Sequence, residues 1–315
     1  MPVSARYALM AACALMIAVA SSTGVTAQIM IAPHLLNRMM APNSQAPGPH
    51  APAAPAHETL TYGPDKAQAL DLYLPRATDL PAPLVLFVHG GGWTRGSRDI
   101  ATGAWKAPHY TGLGYAFATI DYRLVPHARV EDQAADVATA LKRVLSDAMR
   151  LGIDRHRVVL MGHSAGAHLV ALVATDETYL KAAGLSFADI AGVIPIDGAA
   201  YNVPEQMKTS GAFMNTRYEE AFGTDAARQK SLSPTLRART PGTPRFLLLH
   251  VQRPDGIAQA RELAGALRAA GTAVEVKSFP GVGLAGHVAI NHRLGDPSYS
   301  ATQAVDGWLK TVFGK

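Results

Sequence analysis

The sequence predicts an α/β fold, a mostly parallel central sheet of about eight strands with helices on both faces, and two observations predict it. Short apolar or alternating runs bounded by turn residues recur along the chain, and stretches of helical periodicity separate most of them. One apolar run then turns abruptly, through Gly162-His163-Ser164-Ala165-Gly166, into a helical pattern. That sequence places a serine at a strand-to-helix turn, on the edge where open α/β sheets hold their ligands.

The candidate strands, in order, fall at 58–63, 68–74, 82–88, 115–120, 157–161, 192–197, 245–251 and 273–279. Leu84 to Val88 contains no polar residue, as expected of a parallel strand covered on both faces. Between the strands, Val130 to Leu145 carries Val137, Ala140, Leu141 and Val144 on one helical face. Ala258 to Ala270 repeats the pattern with Ala260, Leu263, Ala264 and Leu267, and Thr302 to Phe313 closes with Val305, Leu309 and Val312. Asn202 to Pro241 reads as long, polar and irregular, and a connection of that size is expected to serve as a lid or pocket wall.

The N-terminus is different material. Arg6 precedes the apolar run Tyr7 to Ala20, and small residues follow up to Val25-Thr26-Ala27, so residues 1–27 are expected to be a signal peptide cleaved after Ala27. The expected location is secreted or periplasmic. A run this short is a poor membrane span. Met10-Ala11-Ala12-Cys13 faintly resembles a lipoprotein cleavage site, but too little apolar chain precedes it. Cys13, the only cysteine, would leave with the leader. Residues 28–57, Pro- and Ala-rich from Ala41 on and without apolar periodicity, are expected to form a linker, which leaves 58–315 as one domain. The net charge of +5 is spread along the chain with no basic block interleaved with aromatics, so nothing supports nucleic-acid binding.

Gly162 to Gly166 fits the G-x-S-x-G elbow, in which flanking glycines make room for two backbones that pass close to the turn. Ala165 would begin the helix, with its N–H directed at an oxyanion formed by attack of Ser164 on a carbonyl. Upstream, the strand ending at Val88 runs into His89-Gly90-Gly91-Gly92-Trp93, whose glycines can present unobstructed N–H donors. Gly91 and Gly92 are the expected donors beside Ala165.

A serine hydroxyl needs a base, and the base a carboxylate that fixes its tautomer. The histidines after Ser164 are His168, His250, His287 and His292. His168 falls on the elbow helix and reads as structural, and His250 ends an apolar strand and reads as a buried, satisfied side chain. His287, in the glycine-rich stretch Pro280 to His287 after the last strand, is the expected base, with His292 its competitor. Asp255 follows the seventh strand and is the expected acid, although an Asp there could simply cap a helix. Asp197, which ends Val193-Ile194-Pro195-Ile196, is the rival. The histidines lack metal-ligand spacing: His163 and His168 are five apart and no HExxH occurs, so no metal or other cofactor is expected.

With HGGGW, the strand ending Asp121-Tyr122-Arg123-Leu124, GHSAG and a late Asp and His, the chain from about Glu58 onward resembles the α/β-hydrolase fold. More narrowly, it resembles the carboxylesterases of the hormone-sensitive-lipase and feruloyl-esterase-like (BD-FAE) group, which includes kynurenine formamidase relatives. Leu70 to Pro75, Gln133 to Asp136, Ser233-Pro234 and Gly286 to Asn291 carry further similarity. The resemblance implies a triad of Ser164, Asp255 and His287, an oxyanion hole of Gly91, Gly92 and Ala165, and structural roles for Asp71, Arg123 and Asp136. Members often show His-Gly-x-x-Asp around the acid; here Val251 replaces that glycine and Asp255 stands one residue later. The implied activity is hydrolysis of a small-molecule carboxylic ester through an acyl-enzyme, without a cofactor. The alternatives are an arylformamidase-like amide hydrolase and a catalytically silent, ligand-binding fold-mate.

Overall fold

The computed structural model describes residues 51–76, 81–239 and 244–314, all within the unit Pro42–Lys315. The expected leader and linker residues up to 50 lie outside the described residues. In chain order the elements begin with β1 (Glu58–Thr61), β2 (Ala69–Tyr73), β3 (Ala82–Val88), α1 (Lys106–Gly112), β4 (Ala116–Ile120), α2 (Val130–Ser146), α3 (Ala148–Leu151) and β5 (Ile153–His163). Next come α4 (Ala165–Val173), α5 (Thr178–Ala182), β6 (Gly192–Ile196), α6 (Val203–Thr209), α7 (Ala212–Phe222), α8 (Ala226–Ser231) and α9 (Pro234–Arg237). The chain finishes with β7 (Arg245–Gln252), α10 (Pro254–Ala269), β8 (Val274–Val282), α11 (Gly283–Arg293) and α12 (Ser300–Phe313).

The strands form one 8-stranded sheet in the order β1-β2-β4-β3-β5-β6-β7-β8. β1 and β2 pair antiparallel with each other, β2 pairs antiparallel with β4, and every pairing from β4 to β8 is parallel. β3 shows why the sheet is covered twice. Leu84, Leu86 and Val88 enter one core with α2, α4 and α10, while Val85 and Phe87 enter the opposite core with α1, α11 and α12. Each fully buried aliphatic side chain of this kind contributes about 1.5–3 kcal/mol.

Three expectations from the sequence are corrected. β5 begins at Ile153, upstream of the expected 157, because buried Ile153 is followed by the polar, partly exposed Asp154 to Arg157, which interrupt the apolar pattern. There Arg157 pairs with Asp154 at 2.6 Å and donates to the Pro81 carbonyl, while Ile153 pairs with Ala82 ahead of this polar break. The stretch after Asn202 is helical, α6 to α9, where an irregular connection was expected. The glycine-rich stretch at Gly283 to His287 is likewise the start of α11. Gly281 and Gly286 supply close packing there: a Cβ on Gly286 would lie 2.4 Å from the Gly281 carbonyl carbon, so β8 and α11 meet at a turn with no room for a side chain.

Candidate active site

Ser164 joins β5 to α4 with φ 56° and ψ −118°, backbone space that L-residues rarely adopt, and its N–H is tied to the Ile196 carbonyl at 3.0 Å. The flanking glycines are sterically required. A Cβ on Gly162 would lie 2.3 Å from the Gly166 carbonyl oxygen, and one on Gly166 would lie 2.1 Å from that of Val88. A Cβ on Gly90 would fall 3.0 Å from Ser164 Cβ, which places the His89–Trp93 loop directly against the serine.

That loop is held from outside the cleft. The His89 carbonyl accepts from Tyr122 Oη at 2.9 Å, His89 Nδ1 donates to the Gly90 carbonyl at 2.7 Å, and the Trp93 carbonyl accepts from Gln133 Nε2 at 2.7 Å. Burial pushes the His89 imidazole down to about 4, so it stays neutral. Among the described residues, the N–H groups of Gly91 and Gly92 have no acceptor. The Ala165 N–H, in the first turn of α4, has none within its own helix.

His287 Nε2 lies 3.1 Å from Ser164 Oγ, and His287 Nδ1 lies 2.6 Å from Asp197 Oδ2. A carboxylate only accepts, so Nδ1 carries the proton and Nε2 faces the serine as an acceptor. Asp197 is fully buried, with φ 42° just past β6, and its Oδ1 accepts from the Val251 N–H at 3.1 Å. Arg253 Nε stands 3.3 Å from Oδ2, and its Nη2 donates to the Gly198 carbonyl at 3.0 Å. Burial alone would raise the Asp197 carboxyl, but the hydrogen bond from His287, the Arg253 guanidinium and the Val251 N–H together hold it at about 2.

Two buried groups fix the element that carries His287. His163 Nε2 donates to the His287 carbonyl at 3.0 Å, with the two rings 4.5 Å apart. Burial, and then the charge of a protonated His287, keep the His163 imidazole well below its usual range, so it serves as a neutral donor. Lys106, fully buried, donates from Nζ to the Thr102 carbonyl at 2.6 Å, the Asn291 carbonyl at 2.5 Å and Asn291 Oδ1 at 2.9 Å. Burial lowers its ammonium to about 7, and the Phe87 ring lies 4.8 Å beneath. Asn291 is one turn beyond His287, so this clamp holds α11 against the chain that follows the oxyanion loop.

Of the sequence-predicted residues, Ser164 and His287 meet, and the loop that carries Gly91 and Gly92 reaches the serine at Gly90. Asp255 is corrected. β7 runs on to Gln252, so the chain after it passes the sheet edge before Asp255 appears in the first turn of α10. There the carboxylate is 37% exposed and pairs with Arg253 at 3.5 Å, while the carboxylate on His287 is that of Asp197. Nor does Asp255 cap α10: the cap position is Arg253, without a side-chain bond. The histidine within hydrogen-bond distance of Ser164 is His287, and no hydrogen bond joins His292 to Ser164 among the described residues. His168 accepts from Trp93 Nε1 at 3.4 Å and bonds the Leu232 carbonyl at 2.8 Å, and His250 is buried against the Val251 carbonyl at 3.1 Å. Asp71 pairs with Arg98 at 2.9 Å, and Arg123 grips Asp136 through Nη2 at 2.7 Å and Nε at 2.9 Å, which ties loops to the sheet. Sequence reasoning missed Lys106, Arg253 and the anchoring role of His163. Only Asp197 had a signal, a charged residue ending an apolar strand.

No group of His, Cys, Asp and Glu among the described residues has the arrangement of a metal site, and no helix among them is long and apolar enough to cross a membrane. The BD-FAE family model matches residues 70–224. Esterase LipC of Mycobacterium tuberculosis is 31% identical over 238 residues, covering 71% of this chain and 58% of that protein. The probable isoprenylcysteine alpha-carbonyl methylesterase ICMEL1 of Arabidopsis thaliana is 28% identical over 207 residues, covering 61% and 42%. The chain thus spans about half the length of these curated relatives. The crystal structure of Esterase B from Lactobacillus rhamnosis superposes with a TM-score of 0.71 at 22% identity, over 89% of this chain and 92% of that one, a likeness of fold. Sheet order, the elbow between β5 and α4 and the family match agree: this chain belongs to the BD-FAE group of the α/β-hydrolases.

Proposed function

We propose that this protein is a serine hydrolase that cleaves carboxylic esters through an acyl-enzyme. The observation that carries the reading is the continuous hydrogen-bonded chain from Ser164 Oγ through His287 to a buried, ionised Asp197. Ser164 Oγ attacks the ester carbonyl as its proton passes to His287 Nε2. The developing oxyanion is received by the N–H groups of Gly91, Gly92 and Ala165, each such donor being worth roughly 10²–10³ in rate. The carbon–oxygen bond to the alcohol then breaks, and His287 returns the proton to the departing alkoxide. Water, deprotonated by the same imidazole, releases the acid and restores Ser164. Asp197 holds the imidazole tautomer and stabilises the imidazolium.

The same machinery could expel an amine. Esters are favoured because the similar proteins named above are esterases. Export to the secreted or periplasmic space, with cleavage after Ala27, is part of the proposal, and the N-terminal mass of the protein recovered outside the cytoplasm tests it. For the chemistry, Ser164→Ala should fold as the parent does yet lose about 10³-fold or more in kcat on p-nitrophenyl esters. Covalent labelling of that variant by an organophosphonate would sink the assignment. Assay of N-formylkynurenine beside the esters decides between oxygen and nitrogen leaving groups.

A further inference from the structure

Arg95 is the charge at the site that the chemistry above does not use. It follows the oxyanion loop by two residues, and the chain there folds back on the glycines. A Cβ on Gly91 would lie 1.9 Å from the Arg95 carbonyl oxygen and 3.3 Å from Arg95 Cγ, so the side chain leaves from directly over a proposed oxyanion donor. Arg95 is half-buried, yet among the described residues its guanidinium has no ion pair or hydrogen bond. The neighbouring arginines are all engaged: Arg98 with Asp71 and Asp121, Arg123 with Asp136, Arg253 with Asp197 and Asp255.

A second guanidinium comes from α7. That helix packs on Trp93 through Phe222, ring centroids 4.7 Å apart, and Tyr218, 6.0 Å apart. Arg217 immediately precedes Tyr218, and its one ion pair among the described residues is with Glu220 at 3.5 Å. Burial, and then the positive charge of Arg217, lower the Arg95 guanidinium from its usual value. Asp255 and Arg253, at the start of α10, act on Tyr218, and there Arg253 pairs with both Asp197 and Asp255. Glu220 pairs with Arg217 and not with Arg95, so a half-buried guanidinium stands beside Gly91 without a counter-charge in contact among the described residues.

We propose that Arg95 and Arg217 form a clamp at the mouth of the cleft for a second, ionised acid group on the substrate, so that the natural ester is an anionic one. A guanidinium pair receives a carboxylate through charge-assisted, bidentate hydrogen bonds, which are about twice as strong as neutral ones. This inference rests on the ester hydrolase reading, and two matched pairs of probes separate the two. Mono-4-nitrophenyl glutarate against 4-nitrophenyl pentanoate places the charge on the acyl side. 4-Acetoxyphenylacetate against its primary amide places it on the alcohol side.

At low ionic strength, at least one anionic probe should exceed its neutral partner about tenfold or more in kcat/KM, with the preference shrinking as NaCl is added. Arg95→Gln and Arg217→Gln should each reduce that ratio several-fold, and Arg95→Lys, which keeps the charge, should retain most of it. A parent enzyme that turns over both neutral esters without preferring either anion overturns the clamp and leaves the hydrolase reading intact. A preference unchanged in Arg95→Gln overturns the clamp as well. Failure to hydrolyse any of the four probes overturns both.

Discussion

Asp197 and Asp255 lie at the ends of adjacent strands and differ in one respect that decides their chemistry, which is whether water reaches them. Asp197 is sealed beneath His287, ionised through its hydrogen bonds and Arg253, while Asp255 is 37% exposed in the first turn of α10. Asp197→Asn should therefore cut kcat by on the order of 10³ to 10⁴ with little change in KM, because the amide can no longer hold Nδ1–H toward itself as a carboxylate does. Asp255→Asn should keep kcat within a few-fold and cost about 0.3–1 kcal/mol, the worth of a charge near a helix N-terminus. Steady-state kinetics with thermal melts on both variants check this, and a collapse of kcat in Asp255→Asn would return the acid to the position expected from chain order.

α11 is the element on which the geometry depends, since the base travels with it. Three contacts fix it: the Gly281–Gly286 turn at its start, the His163 bond to the His287 carbonyl, and the two bonds from Lys106 to Asn291 near its end. Gly286→Ala drives a methyl to 2.4 Å from the Gly281 carbonyl carbon, and backbone must move to relieve it. A displacement of about 1 Å in a reacting group costs on the order of 10²-fold. Gly286→Ala should accordingly lose about that much in kcat, and the Ser164 site should label slowly with an organophosphonate. Wild-type labelling kinetics would show that the turn tolerates the methyl.

Across the whole molecule, several buried ionisable groups make stability depend on pH. His89 and His168 are both pushed down from 6.5 to about 4 by burial, and burial lowers His163 as well. Above 6.5 these groups are neutral in the folded and unfolded chain alike. As pH falls from 6.5 toward 4 the unfolded chain takes up protons that the folded chain refuses, so each of the two histidines forfeits up to about 3 kcal/mol of stability. Asp197 adds a further loss of about 2 kcal/mol between its ordinary 3.8 and its folded value of about 2. Denaturant midpoints should drop steeply between pH 6.5 and 4, and His168→Gln should flatten part of the slope; a level profile across that window would contradict the burial assigned here.

Much of this was legible in the residues themselves. The unbroken apolar run Leu84 to Val88 and the 3.6-residue periodicity of α2, α10 and α12 announce a twice-covered parallel sheet, because side-chain alternation and helical pitch are local properties. Gly162-His163-Ser164-Ala165-Gly166 marks the elbow for the same reason, since the steric need for glycine arises within five residues. The acid was not decided locally. Asp197 and Asp255 both follow apolar strands, and only the extension of β7 to Gln252 and the placement of His287 Nδ1 on Asp197 choose between them. His287 was legible as the late histidine but not as a helical residue, because glycines that close a tight turn look in sequence like glycines that loosen a loop. Lys106 and Arg95 gave no sign at all. A lysine reads as exposed and an arginine as paired until the fold, bringing distant segments together, buries the one and leaves the other without a partner among the described residues.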